Sequence, residues 1–179
     1  MQKDVIFAGF GGQGILLMGS ILAHAALDLG YEVAWIPSYG AEMRGGTANC
    51  TVVLGDRPIG SPIIRNPQHL VAMNLPSLDK FVAQVKPGGV ILINSSLISI
   101  GCGRSDVDEL KVPANEIANN LGSVKAANIV ALAAFVARSK IVDMEIIREC
   151  IKSEFKSKPD ITRLNMAAIE EGEKAAAQQ

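Results

Sequence analysis

Apolar residues change their spacing several times along the chain, and each change predicts a different element. The runs Asp4–Ala8 and Val90–Ile93 are short and almost continuously apolar, which is typical of strands buried on both faces of a parallel sheet. Directly after the first run, from Ile15 to Leu29, the apolar residues recur at helical spacing. A strand followed by a glycine-rich turn and a helix is the opening unit of many α/β folds.

The same patterns predict the other elements. Further strands are predicted over Tyr31–Ile36, Thr47–Leu54 and His69–Met73, with Val107–Val112 as an edge strand. Helices are predicted from an N-cap at Ser77 to Val85, over Ala114–Leu121, Ala126–Ser139 and Met144–Phe155 (capped by Asp143), and from Ile161 to a fraying tail. Together they predict one α/β domain over residues 1–179, a Rossmann-like three-layer sandwich with a mostly parallel central sheet and a helical C-terminal part.

Composition narrows the class of protein. Hydrophobic residues make up 49% of the chain and aromatic residues only 4%, so the core is built mainly from aliphatic side chains. The formal net charge is −1 and no long basic run occurs, which argues against nucleic-acid binding. Because no apolar run reaches membrane-spanning length and the chain opens on a charged pair and a strand, we expect a cytoplasmic protein without a membrane span.

The residues that usually bind metals or act as nucleophiles are few and scattered. Cys50, Cys102 and Cys150 are far apart, and His24 and His69 are the only histidines. Structural zinc sites and iron–sulfur clusters usually take closely spaced ligands. We therefore expect no metal site in this chain, and we interpret the cysteines as reduced small hydrophobes or surface thiols.

The turn Gly9-Phe10-Gly11-Gly12-Gln13-Gly14 is the first candidate site. Its position between a strand and a helix directs backbone N–H groups and the positive end of the helix dipole toward one point, an arrangement that binds phosphate. Gly9, Gly11, Gly12, Gln13 and Gly14 are thus candidate cofactor-binding residues. The alternative is that these glycines only allow the helix and the sheet to pack closely.

A nicotinamide cofactor is disfavoured at this turn. Dinucleotide-binding folds place an Asp or Glu on the ribose, at the end of the second strand. In this chain the only acid of the second strand is Glu32, at its beginning, where its carboxylate cannot reach the carboxyl edge of the sheet.

A second candidate site lies between the second and third predicted strands. Arg44 can clamp a phosphate or a carboxylate in bidentate fashion, and Glu42 can bond a ligand hydroxyl or pair with Arg44. We predict Glu42 and Arg44 as catalytic residues, with neighbouring candidates for cofactor binding at Ser38, Tyr39, Gly45, Gly46 and Thr47. The alternative is a flexible surface loop with an ordinary ion pair.

A third polar group, Asn94-Ser95-Ser96, follows the buried strand Val90–Ile93. These side chains leave the carboxyl end of a strand and so can face the same crevice. They also commonly terminate strands through local hydrogen bonds, so we assign them at most a helping role.

The glycine turn and the segment Ser38-Tyr39-Gly40-Ala41-Glu42-Met43-Arg44-Gly45-Gly46-Thr47-Ala48 together closely resemble the gamma subunit of 2-oxoacid:ferredoxin oxidoreductases. The resemblance covers essentially the whole chain, including the Pro87-Gly88-Gly89 turn. It implies an enzyme that decarboxylates a 2-oxoacid oxidatively with coenzyme A, giving acyl-CoA, carbon dioxide and reduced ferredoxin.

The resemblance also implies how the work is divided among subunits. Thiamine diphosphate, Mg²⁺ and iron–sulfur clusters are expected on companion alpha, beta and ferredoxin-like delta subunits, with ferredoxin as the electron acceptor. Coenzyme A is expected at or near this chain, which is not expected to be active alone. The turn Gly11–Gly14 then receives a phosphate group, and the Glu42/Arg44 loop reaches toward the shared active site.

Overall similarity favours 2-oxoglutarate as the substrate, and pyruvate, branched-chain 2-oxoacid and indolepyruvate enzymes are the alternatives. Two other classes of function stay open: a free-standing nucleotide-binding protein and a non-catalytic assembly subunit. The first predicts tight nucleotide binding by the isolated chain. The second predicts kinetics that do not respond to mutations in the loop.

Overall fold

The computed structural model describes residues 2–39 and 47–179. It contains six strands: β1 (Gln2–Phe10), β2 (Glu32–Tyr39), β3 (Thr47–Gly55), β4 (His69–Ala72), β5 (Val90–Asn94) and β6 (Asp108–Val112). Its α-helices are α1 (Ile15–Asp28), α2 (Leu75–Phe81), α3 (Ala114–Asn120), α4 (Ala127–Ser139), α5 (Met144–Glu154) and α6 (Pro159–Ala177). Two short 3₁₀ turns, Val82–Gln84 and Val124–Ala126, extend α2 and precede α4.

All six strands form one sheet in the order β2-β3-β1-β4-β5-β6. The pairs β1–β4, β4–β5 and β5–β6 are parallel, whereas β3 is antiparallel to both β1 and β2. The prediction of a mostly parallel α/β sheet is therefore confirmed, and β6 is the edge strand that the sequence predicts.

The order of the strands is a finding that the sequence pattern did not predict. The second strand does not lie beside the first, because β3 is inserted between them. The physical reason is that residues 40–46 are too few for the helical crossover that parallel neighbours require, so β2 pairs directly with β3. β1 and β2 still run in the same direction, and their carboxyl ends lie at the same edge of the sheet.

Helices cover the sheet on both faces and create two cores. The larger core includes Phe7 and Leu92 of the sheet and Met18, Phe135 and Ile169 of the helices that cover this face. The smaller core, on the opposite face, joins alternate residues of β1, β4 and β5 to α2 and the segment after β5, among them Ile6, Leu70, Leu78, Phe81 and Ile98. The alternation of facing residues along each strand thus gives the three predicted layers.

Two predicted helix ends need correction. The N-cap of α2 is Asn74 instead of Ser77, because the side-chain oxygen of Asn74 accepts a hydrogen bond from the Ser77 N–H at 2.9 Å. The last helix begins at Pro159 instead of Ile161 and continues to Ala177. The Gln179 side chain both accepts from and donates to the backbone of Lys111, and the fraying of the tail stays a prediction.

Other predicted details are confirmed. Asp143 caps α5 by accepting a hydrogen bond from the Glu145 N–H at 2.8 Å, and the first ten residues of α4 are buried, as its low charge predicts. Within the described part of the chain, no helix combines the length and apolar character needed to cross a membrane.

Candidate functional site: the glycine turn at the carboxyl edge of the sheet

The glycine turn connects the end of β1 to the beginning of α1 through a tight backbone bend. The Gln13 N–H donates to the Phe10 carbonyl at 3.2 Å, and Gly12 and Gly14 have left-handed backbone angles with φ of 94° and 73°. Among the described residues no side chain caps α1, and the helical hydrogen bonds begin only with the Met18 N–H to the Gly14 carbonyl. The first turn of α1 therefore directs unpaired N–H groups and the positive end of the helix dipole outward.

Two of the glycines are also needed for packing. A Cβ atom at Gly9 would lie 2.6 Å from Cδ1 of Ile15, and one at Gly14 would overlap the side-chain amide of Asn128. Gly12, in contrast, has no atom of the described residues within 4 Å of where its Cβ atom would stand. The packing interpretation thus holds for Gly9 and Gly14, whereas phosphate binding at the turn stays a prediction.

The side chain of Gln13 holds the turn together. Its Oε1 accepts from the Phe10 N–H at 2.6 Å and from the Asn74 amide at 3.5 Å, while its Nε2 donates to the Met73 carbonyl at 3.3 Å. These bonds join the ends of β1 and β4. The Gln13 side chain thus has a structural role in the turn, and its predicted contact with a ligand stays a prediction.

Two clefts flank the turn. The first, of about 330 Å³, lies over the N-terminus of α1 and extends to Ala48 of β3; we call it the helix cleft. The second, of about 350 Å³, lies between the turn and the N-terminus of α4; we call it the lysine cleft, after Lys125. Among the described residues, no Asp or Glu lines either cleft, so the electrostatic environment favours an anion.

The lysine cleft contains residues that the sequence did not single out. Asn128 is almost completely buried, and its Nδ2 donates to the Gly14 carbonyl at 3.4 Å. Lys125 is exposed at the rim. The predicted helix over Ala126–Ser139 indicated a helix N-terminus here, but no local signal placed it beside a turn that lies 114 residues earlier.

The second candidate site begins at the same edge of the sheet. Thr47 is paired with Phe10, and Ala48 with both Gly9 and Tyr39, so the ends of β2 and β3 meet the glycine turn. Ser38 and Thr47 are exposed there. The remaining predicted residues, which lie outside the described part of the chain, are Glu42, Arg44, Gly45 and Gly46. Their roles stay predictions.

Glu32 lies where the sequence placed it, at the opposite edge of the sheet. It is paired with Gly55, whereas the carboxyl end of β2 is reached only at Tyr39. Its carboxylate is therefore a full strand length away from the glycine turn, and it cannot serve as the ribose ligand of a dinucleotide fold.

The asparagine that ends β5 is fully buried and hydrogen-bonded inside the protein. Asn94 donates from Nδ2 to Asn115 Oδ1 at 2.8 Å and to the Met73 carbonyl at 3.4 Å, and its Oδ1 accepts from the Ala114 N–H at 3.2 Å. The Ser96 hydroxyl oxygen accepts from the Glu116 N–H at 3.1 Å. Asn94 therefore fastens the start of α3 to the sheet, and its amide is not available to a ligand.

The cysteines and His69 are poorly suited to act as nucleophiles or bases. Burial raises the pKa of Cys50 to about 12 and that of Cys150 to about 11, and it also raises the pKa of Cys102, so none forms a ready thiolate. Burial, with a smaller contribution from the charge of Lys3, lowers the pKa of His69 to about 4. The described residues include no group of three His, Cys, Asp or Glu side chains placed to hold a metal ion.

Comparison with known proteins agrees with this architecture. The family model for pyruvate ferredoxin/flavodoxin oxidoreductases matches residues 4–175. Ketoisovalerate oxidoreductase subunit VorA of Methanothermobacter thermautotrophicus is 44% identical over 172 residues, a match that covers 96% of this chain and 36% of that protein. The 2-oxoglutarate synthase subunit KorC of Methanocaldococcus jannaschii is 38% identical over 154 residues, which cover 84% of this chain and 82% of that protein.

A solved structure has the same fold over its whole length. The crystal structure of the keto/oxoacid ferredoxin oxidoreductase gamma subunit from Geobacter sulfurreducens is 30% identical, with a TM-score of 0.84 and 99% of both chains covered. The chain spans little more than a third of VorA but nearly all of that gamma subunit. The chain therefore belongs to the pyruvate ferredoxin/flavodoxin oxidoreductase family and has the fold of its gamma subunit.

Proposed function

We propose that this chain is the gamma subunit, or gamma domain, of a 2-oxoacid:ferredoxin oxidoreductase and forms the coenzyme A side of its active site. The observation that carries the proposal is the glycine turn itself, where the uncapped N-terminus of α1 meets two clefts whose described lining holds Lys125 and no carboxylate. Coenzyme A carries several phosphate groups, and N–H groups at a helix N-terminus together with an ammonium group bind phosphate.

In the proposed reaction a 2-oxoacid loses carbon dioxide, its acyl group forms a thioester with coenzyme A, and two electrons pass to ferredoxin. Thiamine diphosphate, Mg²⁺ and iron–sulfur clusters belong to the companion alpha, beta and delta subunits in this proposal. This chain contributes by binding and orienting coenzyme A. The raised thiol pKa values and the lowered pKa of His69 fit such a binding role, because they leave these groups uncharged near neutral pH.

We also propose that Glu42 and Arg44 extend from the edge shared by β2 and β3 toward the reacting groups. The positions of Tyr39 and Thr47 support this assignment, because both flank the segment and lie at the same edge as the glycine turn.

In the assembled enzyme, Arg44→Ala should lower kcat/KM for coenzyme A or for the oxoacid at least tenfold. Arg57→Ala, which changes an exposed arginine at the opposite end of β3, is the matched control. Unchanged kcat/KM values for Arg44→Ala would show that this arginine takes no part in the mechanism.

For the substrate, we propose a branched-chain 2-oxoacid such as ketoisovalerate first and 2-oxoglutarate second. The higher identity to VorA supports the first choice. The match to KorC, which covers most of both chains, supports the second choice. 2-Oxoglutarate is also the substrate that overall similarity of the sequence favours.

The test is to tag the protein that contains this chain in its native host and to purify the associated subunits. Reduction of a one-electron acceptor is then measured with ketoisovalerate, 2-oxoglutarate, pyruvate and indolepyruvate, each with and without coenzyme A. Larger partner subunits and coenzyme A-dependent activity are the expected result, and the oxoacid with the highest kcat/KM identifies the substrate. A chain purified alone, binding a nucleotide tightly and turning over no oxoacid, would contradict the proposal.

A further inference from the structure

The two edge strands of the sheet are protected to different degrees. β6 carries the charged residues Asp108, Glu109 and Lys111. The Gln179 side chain also accepts from the Lys111 N–H at 3.0 Å and donates to the Lys111 carbonyl. Charged side chains and a covering segment are the usual means by which an edge strand avoids pairing with another chain. β6 is therefore protected against a further strand.

β2 forms the other edge of the sheet and is much less protected. Its centre, Val33-Ala34-Trp35-Ile36, carries no charge, and Glu32 is the only charged residue of the strand. Within the described part of the chain, β2 pairs only with β3, and no backbone hydrogen bond reaches its outer side. An uncharged strand with an unpaired edge is a ready template for pairing with another chain.

The alternation of hydrogen bonds across the sheet determines which backbone groups of β2 point outward. A residue within a strand directs its N–H and C=O to one side, and its neighbours direct theirs to the opposite side. The Met73 N–H donates to the Ala8 carbonyl at 2.8 Å, so Ala8 bonds toward β4 and Phe7 bonds toward β3. Phe7 is paired with Cys50, so Cys50 bonds to β1 and Thr51 bonds to β2.

The same alternation applies to β2 itself. Thr51 is paired with Ile36, which therefore bonds to β3. Val33, Trp35 and Pro37, at alternate positions, direct their backbone groups toward the open edge. Pro37 has no N–H, and an outward position on an edge strand is where a sheet tolerates proline. The open edge thus offers the N–H and C=O groups of Val33 and Trp35 to a further strand.

The side chain of Trp35 lies beside this edge. Its indole packs over α1, where a Cβ atom at Gly19 would lie 2.8 Å from Nε1, and Trp35 is still 40% exposed. Partly exposed tryptophans are frequent anchors of protein–protein interfaces, because the indole buries a large area on contact. An exposed indole next to unpaired backbone groups therefore fits a protein partner.

The carboxyl end of β2 indicates which partner this is. β2 leads into residues 40–46, and Tyr39 lies at the edge of the sheet that contains the glycine turn. The proposed function places the companion subunits at this edge. The match to VorA covers 36% of that protein, whereas the match to the Geobacter gamma subunit covers 99% of that chain, so the fold occurs both within a longer chain and separately. A separate chain has to be held by non-covalent contacts.

We propose that an extended segment of the companion alpha subunit pairs with the outer edge of β2 and continues the sheet by one strand, an inference that rests on the proposed function of the chain. The backbone of that segment exchanges hydrogen bonds with Val33 and Trp35, and one of its apolar side chains packs on the exposed part of the indole. This pairing holds the end of β2, and with it the segment that begins at residue 40, against the companion subunit.

Hydrogen–deuterium exchange of the assembled oxidoreductase, read at single residues by fragmentation, tests the pairing without any mutation. The Ala34 and Ile36 amides are the internal control, because they bond to β3. We expect the Val33 and Trp35 amides to exchange within about tenfold of the rates of these two, as expected for amides that are all hydrogen-bonded. Faster exchange of the two outer amides would overturn the proposal.

A photoreactive side chain identifies the partner. Trp35 is replaced by the photoreactive residue p-benzoylphenylalanine, and the purified complex is irradiated. We expect a cross-link to one peptide of the alpha subunit. A cross-link to a second copy of this chain or to another subunit, or the absence of a cross-link, would overturn the assignment.

A pair of variants at one position separates the backbone from the side chain. Val33→Pro removes an outer N–H and leaves the hydrogen bonds to β3 in place. The concentration at which half of this chain dissociates from the complex should rise about tenfold, the effect of losing one well-made hydrogen bond. Val33→Ala keeps the N–H and is the matched control, which should raise this concentration less than about threefold. Equal shifts would overturn the pairing.

The proposed function is measured separately in the same preparations. If the wild-type complex turns over an oxoacid with coenzyme A while the outer amides of β2 exchange freely, the strand pairing is wrong and the proposed function stands. If the wild-type complex shows no coenzyme A-dependent turnover, or this chain purifies without companion subunits, the proposed function fails and this inference fails with it.

Discussion

Two polar turns follow buried strands at the same edge of the sheet, and their hydrogen bonds differ. After β1, the N–H groups of the first turn of α1 lie beside open clefts and have no capping side chain from the part of the chain that the structure describes. After β5, Asn94 is fully buried and makes three hydrogen bonds to Met73, Ala114 and Asn115. Both turns lie where α/β sheets bind ligands, yet the side-chain amide of Asn94 is already hydrogen-bonded inside the protein.

Position at the carboxyl edge is therefore not enough to identify a binding residue. What decides is whether the protein already satisfies the hydrogen-bonding capacity of the group. Gln13 shows this within the glycine turn itself, since its amide bonds to Phe10, Met73 and Asn74 while the neighbouring backbone stays open. Variants at the two turns should consequently affect different properties.

The largest effect is expected for Gly14→Ala. The new methyl group would overlap the Asn128 amide, and a φ of 73° is unfavourable for alanine, so we expect a loss of roughly 3–5 kcal/mol in the free energy of unfolding. Urea denaturation measures this loss. Gly30→Ala is the matched control, because Gly30 has a similar φ of 83° in open space, and it should cost only about 1–2 kcal/mol.

A double-mutant cycle separates the overlap from the backbone strain. Removing the amide in Gly14→Ala/Asn128→Ala should restore at least 1 kcal/mol relative to the sum of the two single variants, the scale on which contacting residues couple. Additive effects would mean that the left-handed backbone, and not the contact between α1 and α4, makes glycine necessary at this position.

Asn94→Ala should lower the free energy of unfolding by roughly 3 kcal/mol, because the buried Ala114 N–H and the side-chain oxygen of Asn115 lose their partner. In the assembled enzyme below its unfolding temperature, kcat and the KM for coenzyme A should stay at wild-type values. Ser96→Ala is the control within the same turn and should cost less than 1 kcal/mol, since its oxygen accepts a single bond near the surface. A selective rise in KM for Asn94→Ala would show that this turn also binds a ligand.

His69 extends the comparison to the opposite edge of the sheet. Its Nδ1 accepts from the Val90 N–H at 2.9 Å, and burial lowers its pKa from the ordinary 6.5 to about 4. The folded protein therefore favours neutral His69, so its contribution to stability is complete above pH 6.5 and is lost as the pH falls toward 4.

Between pH 7 and pH 5 this residue should account for a loss of roughly 2 kcal/mol in the free energy of unfolding. His69→Gln, which does not titrate, should reduce the pH dependence by that amount. Denaturation curves of the two proteins over this range measure the difference. Parallel pH profiles would mean that His69 titrates near its ordinary pKa in the folded protein.

The sequence predicted most of the fold because its signals are local. The apolar run at Val90 and the aspartate cap at Asp143 each lie within or beside the element that they define, and the structure has both elements. The position of β3 between β1 and β2 was missed, because strand order depends on which edges pair across the chain. A period of two along a strand gives no information about its neighbours.

The candidate site likewise has a part that the sequence predicted and a part that it did not predict. The glycine turn is a local motif and was predicted, whereas Lys125 and Asn128 reach the same region only through the packing of α4. Nothing in the sequence around Asn128 shows that its amide bonds to Gly14, since that depends on how distant segments pack in space. Clefts formed by distant segments need the tertiary structure.

The smallest effect is expected for Gln13→Ala, and it tests the comparison inside the glycine turn. The variant loses the hydrogen bond to the exposed Phe10 N–H and two longer ones to Met73 and Asn74, so the free energy of unfolding should fall by only about 1 kcal/mol. The KM for coenzyme A should rise less than threefold, because the backbone N–H groups of α1 remain in place. A tenfold loss in kcat/KM without loss of stability would show instead that the amide of Gln13 contacts the substrate directly.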